Sequence, residues 1–288
     1  MSIVNIQEKD EYPLYCLSFS PNWNTYQIIS TNDQGRLAYG SNAECFLIDF
    51  KNKNFLSSFK SKEEISSNYL KVTAVLLTEN LLFVGYSNGA VYAFNHKNQN
   101  QFLFKTKASQ HQIMHIIQRP NKAESLRLIL IDSEGMAFEL IYIHEITKVF
   151  PLMINCSSQV VKCGEYFVSH YNKTLLLIIT QKGIVELWDL EQKQNIFSYN
   201  TNSSICKADF ILENENTLIC GIVTKKNFLL VLKLKLDNIL SPIQGSQAIQ
   251  TFPIKLNFQL QSKSKSDPEV LAAKPDILFI GTKKVFEL

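Results

Sequence analysis

Short apolar runs alternate with polar breaks along the whole chain, and one arrangement of them recurs. An apolar run of strand length is followed by a small polar turn and a second apolar run. Copies occupy residues 36–49, 82–95, 128–140, 176–189, 218–232 and 277–288. The turns carry residues that tolerate tight reversals: Asn88-Gly89, Glu134-Gly135, Lys182-Gly183 and Asn227. Glycine and asparagine enter the left-handed backbone region at little cost, as a short hairpin needs. Each copy therefore reads as a β-hairpin.

The hairpins are evenly spaced. Turn positions Ala43, Gly89, Gly135, Gly183 and Asn227 lie 44 to 48 residues apart. The next interval, to Lys284, is 57 residues, and its excess falls in a polar insertion around 238–250. Each unit has room for two further strands. Apolar stretches at 14–19, 72–77, 113–117, 166–169 and 206–212 precede the hairpins; others at 55–59, 101–104, 147–152, 195–199 and 250–252 follow them. Four short antiparallel strands repeating at this period predict an all-β fold, a β-propeller of six recognisable blades. No long stretch shows helical periodicity. Residues 61–68 read as a polar connection. The expectation is a single domain over residues 1–288. The sixth unit stops at Leu288, after its third strand. Either the ring is short, open or seven-bladed with residues 2–6 closing it, or the chain is the N-terminal part of a longer one.

The residues of the fourth and second units resemble the WD40-repeat family. Gly183-Ile-Val-Glu-Leu-Trp-Asp-Leu190 is similar to that family's third-strand signature, with its Trp188-Asp189 dipeptide. The second unit, 83–94, is a further match, and Leu14-Tyr-Cys-Leu-Ser-Phe-Ser-Pro21 resembles the first strand of an opening blade. The first unit, Gly35 to Asp49, is faintly similar to the opening blade of the Elongator complex's propeller subunit. The resemblance also has departures. No unit carries the family's Gly-His dipeptide before its first strand, and Trp-Asp occurs once. The family's His–Asp hydrogen-bond network is therefore not expected. The resemblance implies a non-catalytic scaffold that joins other protein subunits in a larger assembly.

Composition adds limits. Hydrophobic residues make up 45% and charged residues 19%, an ordinary globular balance. A formal net charge of +3 does not by itself argue for nucleic acid or an anionic membrane. The longest apolar runs, such as 175–179 and 277–280, are far shorter than a membrane-spanning helix, and residues 1–10 lack the apolar segment of a signal peptide. An intracellular protein, cytoplasmic or nuclear, is expected. Six cysteines (Cys16, Cys45, Cys156, Cys163, Cys206, Cys220) form no C-x-x-C pair, and most lie in apolar runs. They read as buried thiols in a reducing compartment.

Candidate chemistry is sparse. His111 and His115 have the spacing of a zinc helix, but they fall in a predicted strand, where such positions are about 13 Å apart. No metal or cofactor is expected. The nucleophile elbow and both glycine-rich phosphate loops are missing from the sequence, so no catalytic residue is assigned and no small-molecule substrate is evident. The carboxylates Glu63, Glu64, Glu213 and Glu215 read as solvated. Phe46, Phe83, Tyr92, Phe94, Phe138, Phe228 and Phe279 read as packing between blades. One pattern is sharper. The resemblance puts the turns between second and third strands on one face. The first three read Ser41-Asn42, Ser87-Asn88 and Ser133-Glu134; the last three read Gln181-Lys182, Lys225-Lys226 and Lys283-Lys284. Lys182, Lys225, Lys226, Lys283 and Lys284 are the candidate binding arc, suited to an acidic peptide, RNA or a phosphorylated partner.

Overall fold

A computed structural model describes residues 27–49, 52, 54–60, 70–98, 100–119, 125–156, 158–225, 228–241, 247–255, 268–274 and 277–282. Strands make up most of it. Sheet one holds β1 (Ile29–Thr31), β2 (Arg36–Ser41), β3 (Glu44–Asp49) and β4 (Asn54–Lys60). Sheet two holds β5 (Val72–Leu77), β6 (Leu81–Tyr86), β7 (Ala90–Asn95) and β8 (Gln101–Lys107). Sheet three holds β9 (Ile113–Gln118), β10 (Leu126–Asp132), β11 (Met136–Ile143) and β12 (Ile146–Asn155). Sheet four holds β13 (Val160–Val168), β14 (Lys173–Thr180), β15 (Ile184–Asp189) and β16 (Gln194–Asn200). Sheet five holds β17 (Ile205–Asn214), β18 (Thr217–Thr224), β19 (Phe228–Lys235) and β20 (Ile249–Lys255), with a short helix, α1 (Leu236–Leu240), after β19. Each sheet runs in chain order, the four-stranded unit that the spacing predicts. A further pair, β21 (Pro268–Lys274) with β22 (Ile277–Thr282), supplies the first two strands of the sixth unit. Residues 284–288, its expected third strand, lie outside the described residues.

Two strand assignments are corrected. The first strand of sheet one is β1, paired Ile29 to Tyr39, and not the stretch 14–19, which lies outside the described residues. The first strand of sheet four begins at Val160, six residues before the apolar stretch chosen from the sequence. Lys162 and Glu165 interrupt that strand's hydrophobic pattern, yet Lys162 is held by Asp209 at 2.9 Å and lies over the Phe210 ring.

The described residues divide into two compact units, with the boundary passing through sheet three. In the N-terminal unit, two cores lie between successive sheets. Ala38, Cys45, Leu47 and Phe59 of sheet one meet Val72, Val75, Val84, Tyr92 and Phe94 of sheet two. Ala74, Phe83, Val91 and Phe104 of sheet two meet Ile113, Ile116, Leu128, Leu130 and Leu140 of sheet three. A strand covered on both faces reads as a continuous apolar run, and β6 and β7 do so. Gln27 fastens this unit with its side chain. Its amide donates to the Ile116 carbonyl at 2.8 Å and accepts the Ile116 N–H at 2.7 Å, while its backbone bridges Ala74. In the C-terminal unit, β13 packs on β17, and the Phe210 ring occupies the space beside Gly164.

Fourth strands are the exposed ones. Along β4, β8, β12 and β16 most residues are open to solvent or partly so, whereas β5 and β9 are mostly buried.

Candidate functional site

The turns between second and third strands are rigid because neighbouring chain holds them. In sheet two, the Ser87 N–H donates to the Lys71 carbonyl, just before β5. On the other side, the Ala108 N–H, just after β8, donates to the Gly89 carbonyl. The pattern repeats: Val72 N–H to Asn42 O, Ser133 N–H to Gln112 O, Cys156 N–H to Gly135 O, Gln181 N–H to Gln159 O, Thr201 N–H to Gly183 O, and Lys225 N–H to Ser204 O. Each turn is thus tied to the linkers between sheets. Close approach at Gly89 and Gly183 explains the residue type. Their φ values are +82° and +94°, and an added Cβ would lie 2.0 Å and 2.3 Å from the carbonyl oxygens of Ser109 and Ser203. At Asn42, φ is 51°, which asparagine tolerates. Thr180 and Thr224 close the two C-terminal turns in the same way: each hydroxyl accepts the N–H four residues on, of Ile184 and of Phe228.

Two lysines of the predicted arc fall among the described residues. Lys182 and Lys225 are exposed, and their turns border one loop, 201–204. The Lys182 N–H also donates to the Ser158 hydroxyl at 3.2 Å. Lys226, Lys283 and Lys284 lie outside the described residues, as does Asn227.

Turns at the opposite end of the sheets use side-chain oxygens. Asp49, Asn95 and Asp189, each the last residue of a third strand, accept backbone N–H groups two or three residues on. Asp189, of the Trp-Asp dipeptide, is buried. Burial alone would raise its carboxyl, but the Lys173 ammonium at 2.7 Å and the N–H groups of Gln192 and Glu191 hold it below the usual carboxylate range. In sheet three, a hydroxyl adds to the backbone ties between linker and turn. Ser109 donates to Asp132 at 2.6 Å and accepts the His111 N–H.

Other sequence candidates separate. His111 is exposed ahead of β9, while His115 is buried inside it. Cys45, Cys163 and Cys220 are buried thiols, and burial pushes all three well above the ordinary thiol range. Cys156 is buried, Cys206 is half-buried, and Cys16 lies outside the described residues. Glu213 sits in β17, paired with Lys233 at 2.6 Å; Glu215 is exposed and accepts from the Ser169 hydroxyl; Glu63 and Glu64 lie outside the described residues. The aromatic packing is partly as expected. Phe94 meets Phe59 of sheet one at 4.8 Å and Phe83 is buried in the core between sheets two and three, but Phe228 is part-exposed.

Two polar clusters left no trace in the sequence. Arg36 Nη1 lies 2.7 Å from His96 Nδ1, and His96 Nε2 lies 3.1 Å from the Thr78 carbonyl, which also accepts from Asn32. A guanidinium can only donate, so Nδ1 accepts and Nε2 carries the proton. His96 is nearly buried. Burial lowers its pKa, with Arg36 and Lys97 adding to the effect against the Thr78 carbonyl. Elsewhere, Arg119 and Arg127 converge on Glu139. The partners in both clusters are far apart along the chain, at spacings that no motif encodes.

No helix among the described residues is long and apolar enough to cross a membrane. No protein-family description matches the chain, and no curated protein matches it. Solved structures do. The mitotic checkpoint complex matches with 13% identity over 95% of this chain and 79% of that chain, at a TM-score of 0.63. Saccharomyces cerevisiae Sqt1 matches with 11% identity over 80% of this chain and 63% of that one, at 0.56. The β-propeller domain of Cps50 (Swd1) from Myceliophteria thermophila matches with 9% identity over 81% and 72%, also at 0.56. Such likenesses show the fold: an all-β propeller of the WD40 type, built from four-stranded antiparallel sheets. They lend nothing to the first-unit likeness to the Elongator subunit.

Proposed function

We propose that this chain is a non-catalytic WD40-like scaffold that joins other protein subunits in a multiprotein complex. The observation that carries the reading is the clamped turn. In successive sheets the turn between second and third strands is tied to the linkers, so exposed side chains stand on fixed backbone. Loops held by stiff strands suit recognition. The buried thiols of Cys45, Cys163 and Cys220 fit work in a reducing compartment.

A second reading has one observation in its favour: Lys182 and Lys225 are exposed on turns bordering one loop. With Lys226, Lys283 and Lys284 they would form an arc for RNA or for a phosphorylated or acidic peptide.

One experiment separates the two. The full chain and a variant with all five lysines changed to glutamate are purified with their partners and resolved by size. A scaffold retains stoichiometric protein partners in both forms. If RNA is the retained species, is lost in the variant and falls steeply with salt, the scaffold reading is overturned in favour of the second.

A further inference from the structure

Away from the clamped turns, sheet two stands apart in its charge. Between Glu79 and Glu124 the sequence contains no aspartate or glutamate. The same stretch carries Lys97, Lys105 and Lys107, all exposed and all on β8 or the turn leading into it. Strand β8 is the last of its sheet, paired to β7 on one side.

The side chains on that strand form a stripe. A bulge between Ala93 and Phe94 brings Phe102 opposite Phe94 and Lys105 opposite Tyr92. The Phe102 ring meets those of Tyr92 and Phe94 at 6.2 and 5.8 Å, and the Lys105 ammonium stands 5.7 Å over Tyr92. Phe102 and Lys105 therefore share one face, which Lys107 continues by the two-residue alternation of a strand. Phe102 remains 40% exposed. Strand β4 of sheet one lies beside it: the Ser57 hydroxyl donates to Asn100, and Phe59 packs on Phe94. Strand β4 itself exposes Phe55 and Leu56. Apolar side chains are thus bordered by cations.

We propose that the edge of β8 is a docking site for an extended acidic segment of a partner protein. The segment's backbone would add along β8, an apolar side chain would cover Phe102, and carboxylates would meet Lys97, Lys105 and Lys107. This inference rests on the scaffold reading but uses a surface other than the clamped turns. Reversing charge at Lys182 and Lys225 therefore leaves it intact.

The test uses the full chain and a fluorescent ten-residue peptide of alternating aspartate and leucine, followed by anisotropy at low salt. A peptide of alternating lysine and leucine is the control. The acidic probe should bind, and the basic one should not. Lys105→Glu with Lys107→Glu should weaken binding by about tenfold or more. Phe102→Ser should weaken it with the charges in place, and Lys182→Glu with Lys225→Glu should leave it unchanged. Circular dichroism melts confirm that the variants fold, and Lys97→Glu, on the turn, repeats the charge test without touching the Tyr92 contact. The proposal is overturned by equal binding of both probes or by indifference to the β8 variants; the latter would mean that the lysines only guard an edge against self-pairing. It is also overturned if single-stranded RNA displaces the probe through these lysines, or if the protein self-associates through Phe102.

Discussion

Replacing Gly89 by alanine tests the clamped turn directly. The backbone there has φ +82°, which costs an L-residue roughly 1–2 kcal/mol. The new Cβ would lie 2.0 Å from the Ser109 carbonyl oxygen and 2.8 Å from that of His111. Both are backbone atoms, so no side chain can swing aside. The linker must move away from the turn. The bonds it gives up are Ala108 N–H to Gly89 O at 2.9 Å and Ser109 N–H to the same oxygen at 3.3 Å. At about 1 kcal/mol for each, the variant should lose about 3–4 kcal/mol in all. Gly183→Ala, with φ +94° and a 2.3 Å approach to Ser203, should behave alike. Asn42→Gly is the control: its φ of 51° suits glycine, so its stability should stay within about 0.5 kcal/mol of the parent. Urea denaturation followed by circular dichroism measures all three. In thermal melts the alanine variants should fall by about 6–15 °C. If Gly89→Ala proves no less stable than Asn42→Gly, the turn is not held as described.

Three further outcomes follow from particular residues. His96 has its pKa lowered in the fold, so its contribution is complete above the ordinary imidazole value and is lost as pH falls through the folded one; stability measured from pH 7 to pH 5 should decline, and His96→Leu should flatten that slope. Cys45, Cys163 and Cys220 should resist a thiol reagent in the native protein and react once urea unfolds it, which counting modified thiols by mass spectrometry checks. His144 and Glu145 form a two-residue hairpin turn with φ values of 47° and 66°, a conformation that favours Asn-Gly; His144→Asn with Glu145→Gly should raise stability by about 0.5–1 kcal/mol in the same denaturation assay.

The sequence was most legible where strands are covered on both faces. The stretch 72–77 coincides with β5, because burial leaves only apolar residues there. It was least legible where an inner strand carries paired charge. The start of β13 does not show in the sequence because Lys162 and Glu165 interrupt its apolar pattern, and the Asp209 and Phe210 that hold Lys162 come from another sheet. Strand β1 is three residues long with two hydroxyls, too short to show a period. Lys182 and Lys225 could be placed on turns because spacing alone locates a turn. The Arg36–His96 contact could not be foreseen, since it joins residues 60 positions apart in different sheets.

Among the described residues, the linkers leave the two ends of a four-stranded sheet unlike. At one end the chain that finishes a sheet and starts the next is stitched to the turns on either side of it, so an insertion there would disturb two sheets at once. At the other end, the reversals after Asn95 and Asp189 are closed by their own side-chain oxygens. A tag, a fluorophore or a grafted recognition loop placed between Asn98 and Asn100, or between Glu191 and Lys193, should therefore be carried without loosening the stitching.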